Sequence, residues 1–161
     1  MRTTAVGAIL LVAGCGILAP RSTPIPAPSV ADARVLLDAV IEAGIARDFE
    51  RLCASASGTC EGELEGAEHL APSEPPTVVD VSVHEPIERG DGWTSGGVLF
   101  VLCGIDAAGD PYESEVLVFD DGERLLAGAA VYWRGTGIAF SDGGGGVHIG
   151  VEPTPGPDRC P

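Results

Sequence analysis

The sequence predicts an α+β fold in which two helices precede a meander of antiparallel strands. Apolar residues between 31 and 55 recur at three- and four-residue intervals, the pattern of a one-sided helix. From residue 77 onward the period changes to two, and turns rich in Gly, Asp and Pro separate the segments. Helices followed by a run of strands is the order in which helices cover one face of an antiparallel sheet. The rival architecture is a plain two-layer α/β sandwich. The chain is 161 residues long. The part that carries these patterns, about 130 residues, suffices for one domain, and no internal repeat divides it.

Residues 31–43 read as the first helix. Val35, Leu36, Val40 and Ala43 form its stripe, Leu37 and Ile41 widen it, and Ser29 or Asp32 serves as cap. Gly44 interrupts the pattern. A second helix over 46–55 places Phe49, Leu52 and Cys53 on one face, with Cys60 in the Gly- and Ser-rich turn behind it. Residues 61–76 form an acidic loop. A strand from Thr77 to Val83 puts Val79, Val81 and Val83 on one face and Asp80, Ser82 and His84 on the other. After a turn at 88–92, Gly97–Ile105 is nearly continuously apolar and predicts a strand buried on both faces. Residues 106–111 turn the chain, Tyr112–Phe119 returns, and Asp120-Asp121-Gly122 turns it again. Arg124–Trp133 is the next strand, with Tyr132 and Trp133 on opposite faces, and Gly137–Phe140 extends it. Gly143–Gly146 is a break. Val147–Val151 is a last edge strand or an ordered tail.

The N-terminus has a different character. Met1-Arg2 is a basic start, Ala5–Ala13 is apolar, and Gly14-Cys15 follows, as in a secretory signal peptide. The run is shorter than the roughly 20 apolar residues that span a bilayer. Its small-small-Cys ending resembles the lipobox of bacterial lipoproteins. The resemblance implies cleavage after Gly14 and a diacylglyceryl group on the Cys15 sulfur. The mature chain would then sit on the outer face of the plasma membrane, and two acyl chains suffice for stable attachment. The expected segments are a signal peptide over 1–14, the lipidated Cys15 with a proline-rich tether to residue 30, and a domain over 31–161 with a Pro- and Gly-rich C-terminal tail. The tether spans at most roughly 45 Å at polyproline rise.

Nine basic against 24 acidic residues give a net charge of −15. Nucleic-acid binders neutralise phosphates with basic patches, so the charge balance argues against that class. Anionic headgroups repel such a domain, and the acidity reads as a solvated surface. Lys, Asn and Gln are absent while Gly, Ala and Pro abound, the bias of a GC-rich genome. Cys53, Cys60, Cys103 and Cys160 remain after the lipidation site, an even number that predicts two disulfides with three possible pairings. Cys53–Cys60, across a helix end, and Cys103–Cys160, tying a central strand to the tail, are the favoured pairs. Loop entropy assigns them about 2.5 and about 4 kcal/mol. Structural zinc sites pair ligands two to four residues apart, and these spacings are wider, so no metal is expected.

Asp80, Ser82 and His84 combine a carboxylate, a nucleophile and a base. Residues two apart on a strand are about 6.6 Å apart along it, against the 2.6–3.2 Å that a triad needs, so they read as a solvated strand face. Thr94-Ser95-Gly96-Gly97 is similar to the end of the trypsin-type nucleophile motif. Thr94 stands where that motif has Asp, and the segment reads as a turn opening a strand. Glu61, Glu63, Glu65, Glu68 and His69 offer oxygen ligands to a hard cation but lack the spacing of a calcium loop, and read as a flexible acidic segment.

A helix, a glycine break, the short helix Ala46-Arg47-Asp48-Phe49-Glu50-Arg51-Leu52-Cys53 and long hairpins ending in Val131-Tyr132-Trp133 together resemble the nuclear transport factor 2-like fold. Small actinobacterial envelope lipoproteins are similar in this order and in a cysteine pair near the second helix. Over residues 31–141 the resemblance implies helices packed into a cone-shaped sheet whose interior is the natural pocket. Tyr132 or Trp133, with Tyr112, Asp106 or His84, would line it. No residue matches a catalytic motif of the fold, so no catalytic residue and no cofactor are expected. The function this points to is a non-enzymatic envelope module that binds a partner protein or a small apolar ligand. Sheets of this fold often pair face to face, so a homodimer is a further expectation. The alternatives are a small enzyme with an acid or base inside the cone, or an assembly protein of the cell wall.

Overall fold

The computed structural model describes residues 23–58, 60–89, 92–141, 146–151 and 160. The expected signal peptide, Cys15, the first part of the tether, the tip of the 88–92 turn, Gly143–Gly145 and most of the C-terminal tail lie outside these residues. In the described chain, three helices pack on one face of a four-stranded antiparallel sheet. The fold class is therefore α+β. Among the described residues no helix is long and apolar enough to cross a membrane.

Helix α1 spans Val30–Ala46, and Ser29 caps it by accepting the Asp32 amide at 3.1 Å. Its buried face is Ala33, Leu37, Val40, Ile41, Ala43 and Gly44. Val35, expected in that stripe, is 71% exposed, and Ala33 replaces it one turn from Leu37. Gly44 does not end the helix. It is buried within the last turn, and α1 stops three residues later, where Arg47 takes a left-handed conformation at φ 56°. Helix α2, Phe49–Ala54, is capped by Asp48. The expected acidic loop contains a third short helix, α3, over Cys60–Leu64, and a 3₁₀ turn at Glu68–Leu70. The Cys53–Cys60 disulfide joins α2 to α3.

The sheet is ordered β1–β4–β5–β6: Thr77–His84, Gly97–Ile105, Pro111–Asp120 and Leu125–Gly128. Strands β2 (Glu88–Arg89) and β3 (Gly92–Trp93) make a small hairpin between β1 and β4. As the apolar run predicts, β4 is central, and its first seven residues are buried. Asp106 shapes the β4–β5 turn by accepting the Ala108 and Asp110 amides on one oxygen. Paired residues of antiparallel strands share a face. Val98, Phe100, Leu102, Tyr112, Val116 and Val118 therefore face the helices and join the main core. Leu99, Leu117, Phe119 and Leu126 face the other way and form a second, smaller cluster with Ile138.

Two expectations for the strands are corrected. Val79 is the extra residue of a bulge in β1, between the pairs Val78↔Leu102 and Asp80↔Val101. Val81 and Val83 do face the helix side, but at the sheet edge, where they are 41% and 51% exposed. The strand expected over 124–133 ends at Gly128. Ala129 turns left-handed at φ 59°, and Tyr132–Arg134 is a 3₁₀ turn. Tyr132 and Trp133 therefore do not project to opposite faces; both are buried in the main core. Residues 137–140 do not extend that strand. They belong to β7 (Gly137–Ser141), which pairs with β8 (Gly146–Val151) as a separate hairpin. Glu115, 4% exposed, holds β7 against the second sheet face by accepting the Ile138 amide at 2.8 Å.

The Cys103–Cys160 disulfide pins the end of the chain to β4. Both disulfides join the favoured partners.

Candidate functional site

The aromatic residues singled out in the sequence organise one end of the molecule. Trp133 donates its indole N–H to the Ala67 carbonyl at 2.8 Å and meets Tyr132 edge-on, with ring centroids 5.1 Å apart. Tyr132 is fully buried and donates its hydroxyl to the Ile41 carbonyl of α1 at 3.3 Å. Gly44 makes this arrangement possible: a Cβ there would lie 2.9 Å from the Tyr132 hydroxyl and 3.0 Å from the Trp133 ring. Tyr112 stacks on Gly104, its cross-strand partner, and a Cβ at Gly104 would overlap the phenol.

Beside these rings a cleft of about 530 Å³ opens between the turn after α3, the β4–β5 hairpin and the 3₁₀ turn. Leu70, Tyr112 and Trp133 supply its apolar wall, and Asp106, Glu113 and Arg134 its polar rim. The Arg134 guanidinium is steadied by donating to the Glu63 carbonyl at 2.7 Å. Burial raises the Glu63 carboxyl above its ordinary pKa, and the Arg134 charge partly offsets this. The Tyr112 hydroxyl is buried with no hydrogen-bond partner among the described residues, a state that costs about 1–3 kcal/mol. Its pKa is pushed up by burial and then by the Asp106 carboxylate, and that of Tyr132 by burial and then by Tyr112. Both phenols stay protonated donors. The Cys160 sulfur lies 3.8 Å from Glu113 Oε2, so the second disulfide fastens the tail beside the same cleft.

Of the five pocket residues expected from sequence, Tyr112, Trp133 and Asp106 line this cleft, and Tyr132 supports them from behind. His84 is elsewhere. It pairs with Gly97 near the opposite end of the sheet and points to the face away from the helices. There it meets Ser82: the hydroxyl oxygen lies 3.0 Å from His84 Nε2. This corrects the expectation that a two-residue spacing keeps them apart, because the side chains lean together although their backbones do not approach. Asp80 does not complete the set, since it accepts its neighbour Val81's amide at the bulge. The carboxylate whose charge reaches His84 is Glu115, which raises the imidazole pKa against a larger lowering by desolvation.

Arg134, Leu70 and Gly66 escaped the sequence reading because they enter the cleft through turns that carry no periodicity. Glu61, Glu65 and Glu68 are exposed on α3 and the turn behind it, and among the described residues no group of three or more His, Cys, Asp or Glu is placed to hold a metal ion. Thr94 is buried, bonded to Ile87, and holds the β2–β3 hairpin closed.

Fold and site together define a small disulfide-stapled α+β domain with an aromatic-walled, charge-rimmed cleft at one end of its sheet. No family model matches the chain, and neither does any curated protein or solved structure.

Proposed function

We propose that this is a lipid-anchored bacterial envelope protein, held on the outer face of the plasma membrane through Cys15, and that it works as a non-enzymatic binding module. The observation that carries the binding role is the cleft. It combines rigid aromatic walls with charges of both signs on one rim. Ligand sites are typically apolar hollows with a few placed polar groups. Its polar rim fits an amphipathic molecule, with a ring or chain against Trp133 and Tyr112 and a hydrogen-bonding group at Arg134 or Asp106, better than a purely apolar one. We also read the domain as nuclear transport factor 2-like. The order of three helices before the sheet supports this, with α3 standing in the acidic segment where a third helix belongs. Native mass spectrometry of protein taken from host membranes tests the proposal. The expected species begins at Cys15, carries a diacylglyceryl group and retains a small molecule that Arg134→Ala and Asp106→Asn each release. A bare chain with an unmodified Cys15 overturns the anchor, and a ligand indifferent to both substitutions overturns the cleft.

A second reading is favoured by the Ser82–His84 contact, which is the nucleophile–base half of a hydrolytic site. A fluorophosphonate probe tests it. Ser82 Oγ would bond to phosphorus, fluoride would leave, and His84 would take the proton. The depressed His84 pKa keeps the imidazole a base into mildly acidic solution, so labelling should persist there. Absence of labelling, or labelling unchanged in Ser82→Ala, ends the enzymatic reading.

A further inference from the structure

Residues 23–29 belong to the segment expected to act as a tether, yet they are seated on the domain. The Ile25 carbonyl accepts the Gly96 amide at 2.8 Å. Pro24 and Pro26 share one shallow hollow with Pro86 and Trp93. The fit is close at Gly96, where a Cβ would lie 2.6 Å from the Ala27 nitrogen and 2.9 Å from the His84 carbonyl oxygen. Ser29 then caps α1, so this strap is fixed at both ends.

Seating shortens the leash. From Cys15 to Ile25 is ten residue steps, at most about 35 Å fully extended and about 31 Å at polyproline rise. The sheet sets the strap and the cleft at opposite ends. Gly96 immediately precedes β4, whereas Tyr112 pairs with Gly104 near the far end of that strand. A nine-residue strand at about 3.4 Å per residue separates the two by roughly 27 Å. A domain standing on its strap uses little of the leash's reach. A domain inverted with its cleft against lipid must extend the leash across roughly 27 Å, most of that reach.

We propose that the strap turns the lipid anchor into an orienting mount: Thr23–Ser29 holds the Trp93 end toward the membrane, and the Trp133 cleft opens to the aqueous side, where it takes a water-soluble amphipathic ligand and not a bilayer lipid. This rests on the lipid-anchor reading above. The chain has two tryptophans, Trp93 beside the strap and Trp133 in the cleft wall, and they serve as native probes. The lipidated protein is placed on phosphatidylcholine vesicles containing a dansyl-headgroup lipid, and energy transfer to dansyl is measured. Trp133→Phe, which leaves Trp93, should transfer several-fold more efficiently than Trp93→Phe, which leaves Trp133. Should Trp133→Phe fail to fold, wild type against Trp93→Phe makes the same comparison. Gly96→Ala, which displaces Ala27, should shrink the difference while the protein stays on the vesicles. Equal transfer from both tryptophans, or stronger transfer from Trp133, overturns the mount. Protein that does not sediment with the vesicles overturns the anchor and the mount with it. Amide exchange at Gly96 in Cys15→Ser then decides the strap alone: protection that disappears in a chain beginning at residue 30 upholds it, and an unprotected amide overturns it.

Discussion

Replacing Cys160 with serine is expected to remove about 4 kcal/mol of stability, the loop-entropy value for a bridge of this length. The bridge spans 57 residues, and everything from the end of β4 through β5, β6 and the β7–β8 hairpin lies inside its loop. Domains are typically stable by only about 5–15 kcal/mol, so the loss is a large share. Urea denaturation is the measurement. The midpoint should fall, and the slope should rise as the opened loop no longer restrains the unfolded chain. Cys53→Ser, which opens a separation of seven residues, should cost less, about 2.5 kcal/mol. If the two variants lose equal stability, loop length is not what governs the effect, and Cys160 then acts through its contacts beside Glu113. The cleft gives a second reading of the same variant. Cys160 sits against its rim, so ligand affinity should weaken even under conditions where the domain stays folded.

Legibility from sequence follows the range of the interaction involved. Strands β4 and β5 were readable because burial on both faces demands a run of apolar residues, and such runs are local. The cysteine pairing was readable because Cys53 and Cys60 are close in sequence across a helix end, and Cys103 and Cys160 can tie a central strand to the tail. What escaped was set by contacts far apart in sequence. Val35 fits the helical period, yet α1 turns Ala33 and Leu37 inward, because the sheet surface under α1 decides which edge of the stripe is used. Tyr132 and Trp133 read as strand by composition, but Ala129 breaks the strand with a left-handed turn and delivers both rings to one side. Ser82 and His84 were kept apart by a rule about backbone rise that says nothing of where two side chains lean. Half of the cleft was therefore visible as a list of aromatics. The half built from turns, at Leu70 and Arg134, was not.

The most severe substitution should be Gly44→Leu. In sequence Gly44 looks like a helix stop, since glycine is about 1 kcal/mol less favourable than alanine inside a helix. In the fold it lies within α1 against the Tyr132 hydroxyl and the Trp133 ring, with room for no Cβ. Two effects thus oppose each other in Gly44→Ala: a gain of about 1 kcal/mol in helix propensity and an overpacking cost of about 1–3 kcal/mol. The overpacking should win, because Tyr132 is tied to the Ile41 carbonyl and Trp133 to the Ala67 carbonyl, and neither ring can retreat without losing its bond. Gly44→Ala should therefore unfold at lower temperature than wild type, with the near-ultraviolet circular dichroism of the tryptophan altered before unfolding. Leucine cannot be accommodated by small shifts, and Gly44→Leu should lose the tertiary signal while keeping helical content. A Gly44→Ala chain more stable than wild type would mean that the helix and the aromatic turn are not in contact. The cleft wall formed by Trp133 would then have no support from α1, so this one position tests the packing of the fold and the rigidity of its site together.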